Sequence, residues 1–288
     1  MLTAWFSNEW GRIIPSVADG TRPSAAFGAT ITPGNNSYGS YVSLLAGSSL
    51  TDDCYGIAIN FNSNNTSAQA RDTIATIGLD PAGGSSFTDF ILDLLCSSAG
   101  SFTGGNNAGT GGVWYWFPIF IKAGTSIGCK ASINNGTVGT LRANLWCCCR
   151  PKRPELVRVG TFVDTLGSTP ASSSGTAITP GTTSDGAWTQ AGSNVSKGYF
   201  YLEWGWGDNT STMTNNTNYV DIGVGDGTNN RVVAAGCRAH TDSAEAIGKP
   251  LMQGAFADIA PGDGLYLRAQ TGPNAASTTA SFAIYAVG

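Results

Sequence analysis

The sequence predicts an all-β chain: two tandem antiparallel β-sandwich domains, jelly-roll-like and related by internal duplication. Three observations predict it. Only 12% of the 288 residues are charged, against about 25% in ordinary soluble domains, while 10% are aromatic and 39 are Gly. That balance suits strands joined by many turns and lacks the charge excess of a disordered chain. Second, I-T-P-G-N-N-S-Y-G-S-Y at 31–41 returns as I-T-P-G-T-T-S-D-G-A-W at 178–188. Third, the segments that match between the halves alternate apolar and polar residues with the strand period.

The elements follow in order. Residues 1–11, M-L-T-A-W-F-S-N-E-W-G, have no counterpart in the second half and are expected to form an N-terminal arm docking on a neighbouring subunit. Their lack of a basic start and of an apolar core argues against a secretory signal. The first domain is assigned to 12–149. In I-T-P-G the β-branched pair before Pro is extended, and the Gly accepts backbone closed to other residues. T-I-G-L-D (76–80) faces D-I-G-V-G-D (221–226). F-T-D-F-I-L-D-L-L (87–95) has apolar residues at helical spacing, but its counterpart near R-V-V-A-A-G-C (231–237) favours a strand, and a strand is expected. T-G-G-N-N-A-G-T-G-G (103–112) reads as a loop that lengthens the first copy. V-W-Y-W-F-P-I-F-I (113–121) is apolar, but too short for a membrane-spanning helix and interrupted by Pro.

I-K-A-G-T-S-I-G-C-K-A-S (121–132) faces I-A-P-G-D-G-L-Y-L-R-A-Q (259–270). Each reads as a turn and an alternating strand, with Ile127, Cys129 and Ala131, or Leu265, Leu267 and Ala269, on one face. Lys130, Tyr266 and Arg268 then point outward. R-A-N-L-W-C (142–147) and A-S-F-A-I-Y-A-V (280–287) close the two copies. C-R-P-K-R-P (149–154) marks the break, so 150–154 is assigned as a stiff, solvated linker and 155–288 as the second domain. Each half has room for about eight short strands.

Composition also excludes functions. The net charge is −4 and no basic stripe is present, so neither nucleic acid nor membrane is an expected partner. Cys54, Cys96, Cys129, Cys147, Cys148, Cys149 and Cys237 are odd in number and unpatterned, which suits buried free thiols rather than a disulfide framework. There is no C-x-x-C and a single histidine, His240, so no metal, cofactor or catalytic residue is expected. Asp52, Asp53, Asp80, Asp93, Glu203 and Asp226 are the candidates for a glycoside-cleaving carboxylate pair; Asp52 and Asp53 read as a turn, and Glu203, in an aromatic strand, as an outward or sugar-facing residue. G-V-G-D-G-T-N-N (223–230) lacks the carboxylates of a calcium loop and the Lys of a phosphate loop, and reads as a turn. The tryptophans remain. Trp5, Trp10, Trp114, Trp116, Trp204 and Trp206 fall in pairs, and strand neighbours at i and i+2 share a face. Core, subunit interface and sugar stacking are all open to them.

A set of motifs adds a resemblance. I-T-P-G-N-N-x-Y-G, Y-G-I-x-I-N, D-T-I-x-x-I-G-L-D-P-A-G-G, G-G-V-W-Y-x-F-P-I-x-I-x-A-G and R-P-E-L-V-R-V-G together resemble structural proteins encoded by tailed bacteriophages. The resemblance covers nearly the whole chain. One departure is Ala123, where Pro commonly precedes the turn glycine, as Pro261 does in the second copy. It implies a non-enzymatic virion protein: a capsid decoration, collar or tail component, made in the host cytoplasm, whose partners are copies of itself and other virion proteins. A reducing cytoplasm also suits the cysteines. The alternative is a carbohydrate-binding, receptor-recognition module taking a host glycan on Trp204, Trp206 and Glu203.

Overall fold

The structure is a computed structural model that describes residues 10–16, 28–63, 72–96, 113–134, 140–167, 175–208, 216–241, 247–248, 254–272 and 280–288. Most of the expected N-terminal arm (residues 1–9) and the loop 103–112 lie outside the described residues. The first half supplies β1 (Trp10–Pro15), β2 (Ala29–Ile31), β3 (Gly34–Asn35), β4 (Val42–Leu45), β5 (Cys54–Ser63), β6 (Asp72–Asp80), β7 (Thr88–Leu95), β8 (Val113–Phe117), β9 (Ser126–Asn134) and β10 (Leu141–Pro151). The second supplies β11 (Val163–Leu166), β12 (Thr176–Ile178), β13 (Thr189–Gln190), β14 (Tyr199–Asp208), β15 (Asn216–Gly225), β16 (Asn230–Thr241), β17 (Ile247–Gly248), β18 (Ala255–Ile259), β19 (Gly264–Thr271) and β20 (Ala280–Val287). Among the described residues the only helical turns are two 3-10 turns, Gly47–Ser49 and Pro154–Leu156.

Among the described residues the strands form four five-stranded sheets, none closed into a barrel. Sheet one runs β1-β10-β5-β8 with β2 also on β10; sheet two runs β3-β9-β6-β7 with β4 also on β9. Sheet three runs β11-β20-β14-β18 with β12 also on β20; sheet four runs β13-β19-β15-β16-β17. Strand pairing is antiparallel except for β3 on β9. The architecture is all-β and sandwich-like: inner residues of sheets one and two share one core, with Ile57, Ile59, Phe61 and Leu145 facing Ile77, Cys129 and Ala131. Trp204, Trp206, Phe282 and Ile284 of sheet three meet Ile222, Leu265 and Leu267 of sheet four in a second core.

Residues 87–95 form a strand, and the structure explains their helical spacing. Ala75 pairs with Leu94, Ile77 with Ile91 and Gly78 with Asp89. β7 therefore carries one extra residue in each of two successive steps. Such bulges break strict alternation, and Ile91, Leu94 and Leu95 all reach the core. Asp93 sits in the first bulge with φ of 55°. β16 has the same two shifts: Val220 pairs with Cys237, Ile222 with Ala234 and Gly223 with Val232. Gly236, with φ of 64°, occupies the corresponding bulge.

The repeated I-T-P-G frame is a packing device. The N–H of Gly39 donates to the Ala131 carbonyl at 2.9 Å, and that of Gly186 to the Ala269 carbonyl at 2.9 Å. Neither Gly34 nor Gly181 takes the positive φ expected of it; close approach excludes a side chain instead, since a Cβ on Gly34 would lie 2.4 Å from the Ser37 carbonyl oxygen and one on Gly181 2.0 Å from that of Ser184. The frame then lays Tyr41 over Gly78 and Trp188 over Gly223. Lys130 stands 4.9 Å from the Tyr41 ring centre and Arg268 4.6 Å from that of Trp188. Both cations point outward, as read: Lys130 pairs with Asp89 and Arg268 with Asp221. Tyr266, also read as outward, is instead buried against the turn glycines Gly227 and Gly264.

Two boundaries move. Trp10 and Gly11, assigned to the arm, belong to β1, where Trp10 pairs with Pro151. Arg150 and Pro151, assigned to the linker, end β10, because the ladder with β1 continues through them. Lys152, Arg153 and Pro154, the rest of the assigned linker, are exposed; farther along, the chain is tied down, the N–H of Gly160 donating to the Pro118 carbonyl at 2.8 Å and that of Phe120 to the Gly160 carbonyl at 2.9 Å.

The central strand of sheet three is covered on both faces. All eight residues of β20 are buried. Phe282, Ile284 and Ala286 enter the second core, while Ala283, Tyr285 and Val287 enter the first. Tyr285 bonds one half to the other. Its hydroxyl accepts the Leu95 N–H at 2.7 Å and donates to the Asp93 carbonyl at 3.1 Å. Its ring meets Tyr115 edge-on at 5.4 Å. Gly205 lets the sheets approach: a Cβ there would lie 2.7 Å from the Tyr115 hydroxyl and 2.8 Å from that of Tyr285. Tyr285→Phe leaves the buried Leu95 N–H without its acceptor and is expected to cost about 1–3 kcal/mol, read by urea unfolding. Unchanged stability would show that the hydroxyl does not hold the halves together.

Candidate functional site

The structure separates the tryptophans that the sequence grouped. Trp204 and Trp206 are 0% and 2% exposed and meet edge-on at 6.2 Å inside the second core. They share a face, but the face points inward, so neither is open to a sugar or a subunit. Trp116 lies across Gly56, where a Cβ would come within 2.3 Å of its ring. It is 7% exposed and sits 6.1 Å from Trp10, itself 8% exposed. Trp114 stacks on Trp146 at 5.1 Å with both rings part-exposed. Trp5 lies outside the described residues.

Nor do the candidate carboxylates converge on one centre. Asp52 pairs with Arg150 and Arg12, which hold its carboxyl below the usual range. Asp53 accepts the Ala123 N–H, Asp80 those of Ala82 and Ser86, and Asp226 those of Thr228 and Asn229. Each of these acceptors fixes a turn. Glu203, read as an outward or sugar-facing residue, is fully buried between the halves. Its Oε2 accepts the Tyr201 hydroxyl at 3.0 Å and the Trp116 N–H at 3.3 Å. It therefore satisfies a backbone donor on the outer edge of sheet one. His240 falls in β16 and its neighbour Asp242 outside the described residues. Cys54, Cys96, Cys129, Cys147, Cys148 and Cys149 are buried free thiols, Cys237 is half-buried, and burial pushes Cys54, Cys96 and Cys129 up.

What does converge is a cleft at the junction of the halves. Trp10 of β1, Tyr55 of β5 and Trp116 of β8 line a cavity of about 230 Å³ together with Pro118, Val157, Leu156 and Phe256. Leu156 belongs to the 3-10 turn after β10, and Phe256 to β18 of the other half. They are 68% and 67% exposed, the two most exposed of the large apolar side chains described. Phe256 is propped by Tyr201 at 5.0 Å, and exposed Phe120 meets Tyr55 at 5.6 Å. The charged residues of the lining are Arg153 and Arg158, both cationic. Arg158 lies 4.4 Å over the Phe200 ring. Of this cleft the sequence reading named only Trp10 and Trp116. An apolar Leu-Val pair set between Arg153 and Arg158 in a polar connector was the available signal. Phe256, exposed on an edge strand, carries none.

No protein-family model matches the chain, and no curated protein matches it. Among solved structures, it is similar to the crystal structure of a peptide-N(4)-(N-acetyl-β-D-glucosaminyl) asparagine amidase. That likeness spans 96% of each chain at 11% identity and a TM-score of 0.32. It is too distant to bear on activity.

Two measurements check these placements. Trp204→Ala is expected to destabilise the protein by about 3–5 kcal/mol in denaturant unfolding, as for a fully buried aromatic; a loss below about 1 kcal/mol would mean the ring is not in the core. The second concerns Asp93, which accepts the Tyr38 hydroxyl at 2.5 Å and whose carboxyl burial raises, with Asp89 adding to the rise and Tyr38 and Lys130 opposing it. The folded state then keeps a proton that the unfolded chain has lost, so this group's stabilising contribution is full below the unfolded value of about 3.9 and falls as pH rises through the folded one. Asn tolerates the positive φ and can still accept from Tyr38. Asp93→Asn is therefore expected to flatten the pH dependence of the melting temperature above pH 4 and to leave the neutral-pH value equal or higher. A lower value there would contradict it.

Proposed function

We propose that this chain is a non-enzymatic structural component of a tailed-phage particle, a capsid decoration, collar or tail protein. In this reading it is two jelly-roll-like sandwiches descended from one by tandem duplication. The duplication is supported by matching strand orders in sheets one and three, by paired bulges at Asp93 and Gly236, and by equivalent turns at Gly34 and Gly181. The observation that carries the functional reading is the junction cleft. Leu156 and Phe256 stand two-thirds exposed beside buried Trp10 and Trp116, with arginines at the rim. Aromatic, apolar and Arg side chains grouped in this way are what anchor subunit contacts. The motif set shared with phage structural proteins gives the setting, and copies of the chain and other virion proteins are the partners.

A second reading, a carbohydrate-binding receptor-recognition module, is favoured by one observation: the stacked, part-exposed pair Trp114 and Trp146. The buried Trp204 and Trp206 do not serve it. Loss of glycan-array binding in Trp146→Ala with assembly intact would favour this reading over the first.

The test of the leading reading is Leu156→Ser with Phe256→Ser, two surface changes expected to leave stability within about 0.5–1 kcal/mol. Self-association by sedimentation, or retention on purified particles, should fall at least tenfold. A double variant that assembles like the parent would overturn docking through this cleft.

A further inference from the structure

We infer that the junction cleft is a receptor for one apolar side chain, Leu- or Phe-sized, carried by an acidic segment of a partner protein. This rests on the docking reading above and names what docks. Three observations carry it. The first is size. At about 230 Å³ the cavity falls below the range of roughly 300–1,000 Å³ that small-molecule sites occupy, so a single anchoring side chain suits it better than a cofactor. Its aromatic floor and its Leu156 and Phe256 walls set the apolar character.

The second is an orphan donor. The indole N–H of Trp10 is buried without a hydrogen-bond partner, in a residue that is 8% exposed and lines the cavity. A buried donor left unmade costs free energy, and an acceptor brought by a ligand, such as a main-chain carbonyl beside the anchor, would relieve it.

The third is charge. The charged residues of the lining, Arg153 and Arg158, carry the sign opposite to the chain's net charge of −4. Arg158 faces Asp258 at 3.3 Å, but with side chains 62% and 93% exposed this pair is weak and can exchange for a bidentate carboxylate from a partner. The cation of Arg158 also rests on Phe200, which fixes its position at the rim. A carboxylate next to the anchor would meet it there.

The experiment uses the full chain and two labelled hexapeptides, each with a central Leu-Phe, one flanked by Asp pairs and the other by Lys pairs. Fluorescence anisotropy is read at two salt concentrations. The Asp-flanked peptide should bind at least tenfold more tightly than the Lys-flanked one, with the preference shrinking as salt rises. Arg153→Glu with Arg158→Glu should abolish or invert the preference, and Phe256→Ser should weaken the Asp-flanked peptide at least tenfold. Equal affinities, or no binding of either up to about 1 mM, would overturn the inference. The sedimentation assay on the Leu156→Ser, Phe256→Ser chain separates the two claims. If assembly falls there while the peptides fail to discriminate, docking stands and the acidic anchor is wrong. If the Asp-flanked peptide binds and assembly is unaffected, the receptor stands and docking between subunits is wrong.

Discussion

A buried hydroxyl bonds one half of the chain to the other. Tyr285 lies on the central strand of sheet three and places its oxygen between the Leu95 N–H and the Asp93 carbonyl of β7. β7 carries a bulge there, and a bulge leaves main-chain groups out of the ladder. The second half supplies the partner that the first half's own sheet does not. Because those groups are buried, the contact is a requirement of satisfied polar atoms as much as of packing.

Much else follows from that contact. The central strand β20 must be buried on both faces, which is why it reads A-S-F-A-I-Y-A-V, with Ser281 its one small polar residue besides the Tyr285 hydroxyl. Gly205 must lack a side chain, because the Tyr115 and Tyr285 hydroxyls occupy its place. β7 and β8 are the edges of sheets two and one, and exposed edges invite unwanted pairing. Here Thr165 donates to the Leu92 carbonyl at 2.6 Å, and Glu203 takes the Trp116 N–H. The same seam leaves a notch at its end, where β1, β5 and β8 of one half meet β18 of the other. Leu156 and Phe256 stand at that notch, so the cleft is a by-product of how the halves join.

The strands themselves were readable. Alternation placed Ile127, Cys129, Ala131, Leu265, Leu267 and Ala269 inward, and all six are fully buried. The frame I-T-P-G was read for its glycine's backbone freedom, but what fixes Gly34 and Gly181 is close approach, with carbonyl oxygens 2.4 and 2.0 Å from any added Cβ. Residues 87–95 were ambiguous for a physical reason: two bulges shift the inward face twice, and the resulting pattern imitates a helix. Trp204 and Trp206 were correctly paired on one face, but periodicity cannot say which face is inside when both are covered. Glu203 misled for the same reason, since an acidic residue in a strand is ordinarily outward.

By itself, then, the sequence determined local matters: strand and turn placement, the faces on which side chains alternate, and the absence of a metal-binding pattern in its cysteines. These depend on backbone sterics and on neighbours within a few positions. Only the tertiary structure decided that the central strand of sheet three is buried on both sides, that six cysteines and two tryptophan pairs are mostly sealed from water, and that Leu156 and Phe256 meet at one cleft. Residues 156 and 256 are brought together by the packing of one half on the other, and no periodicity within either strand encodes that distance.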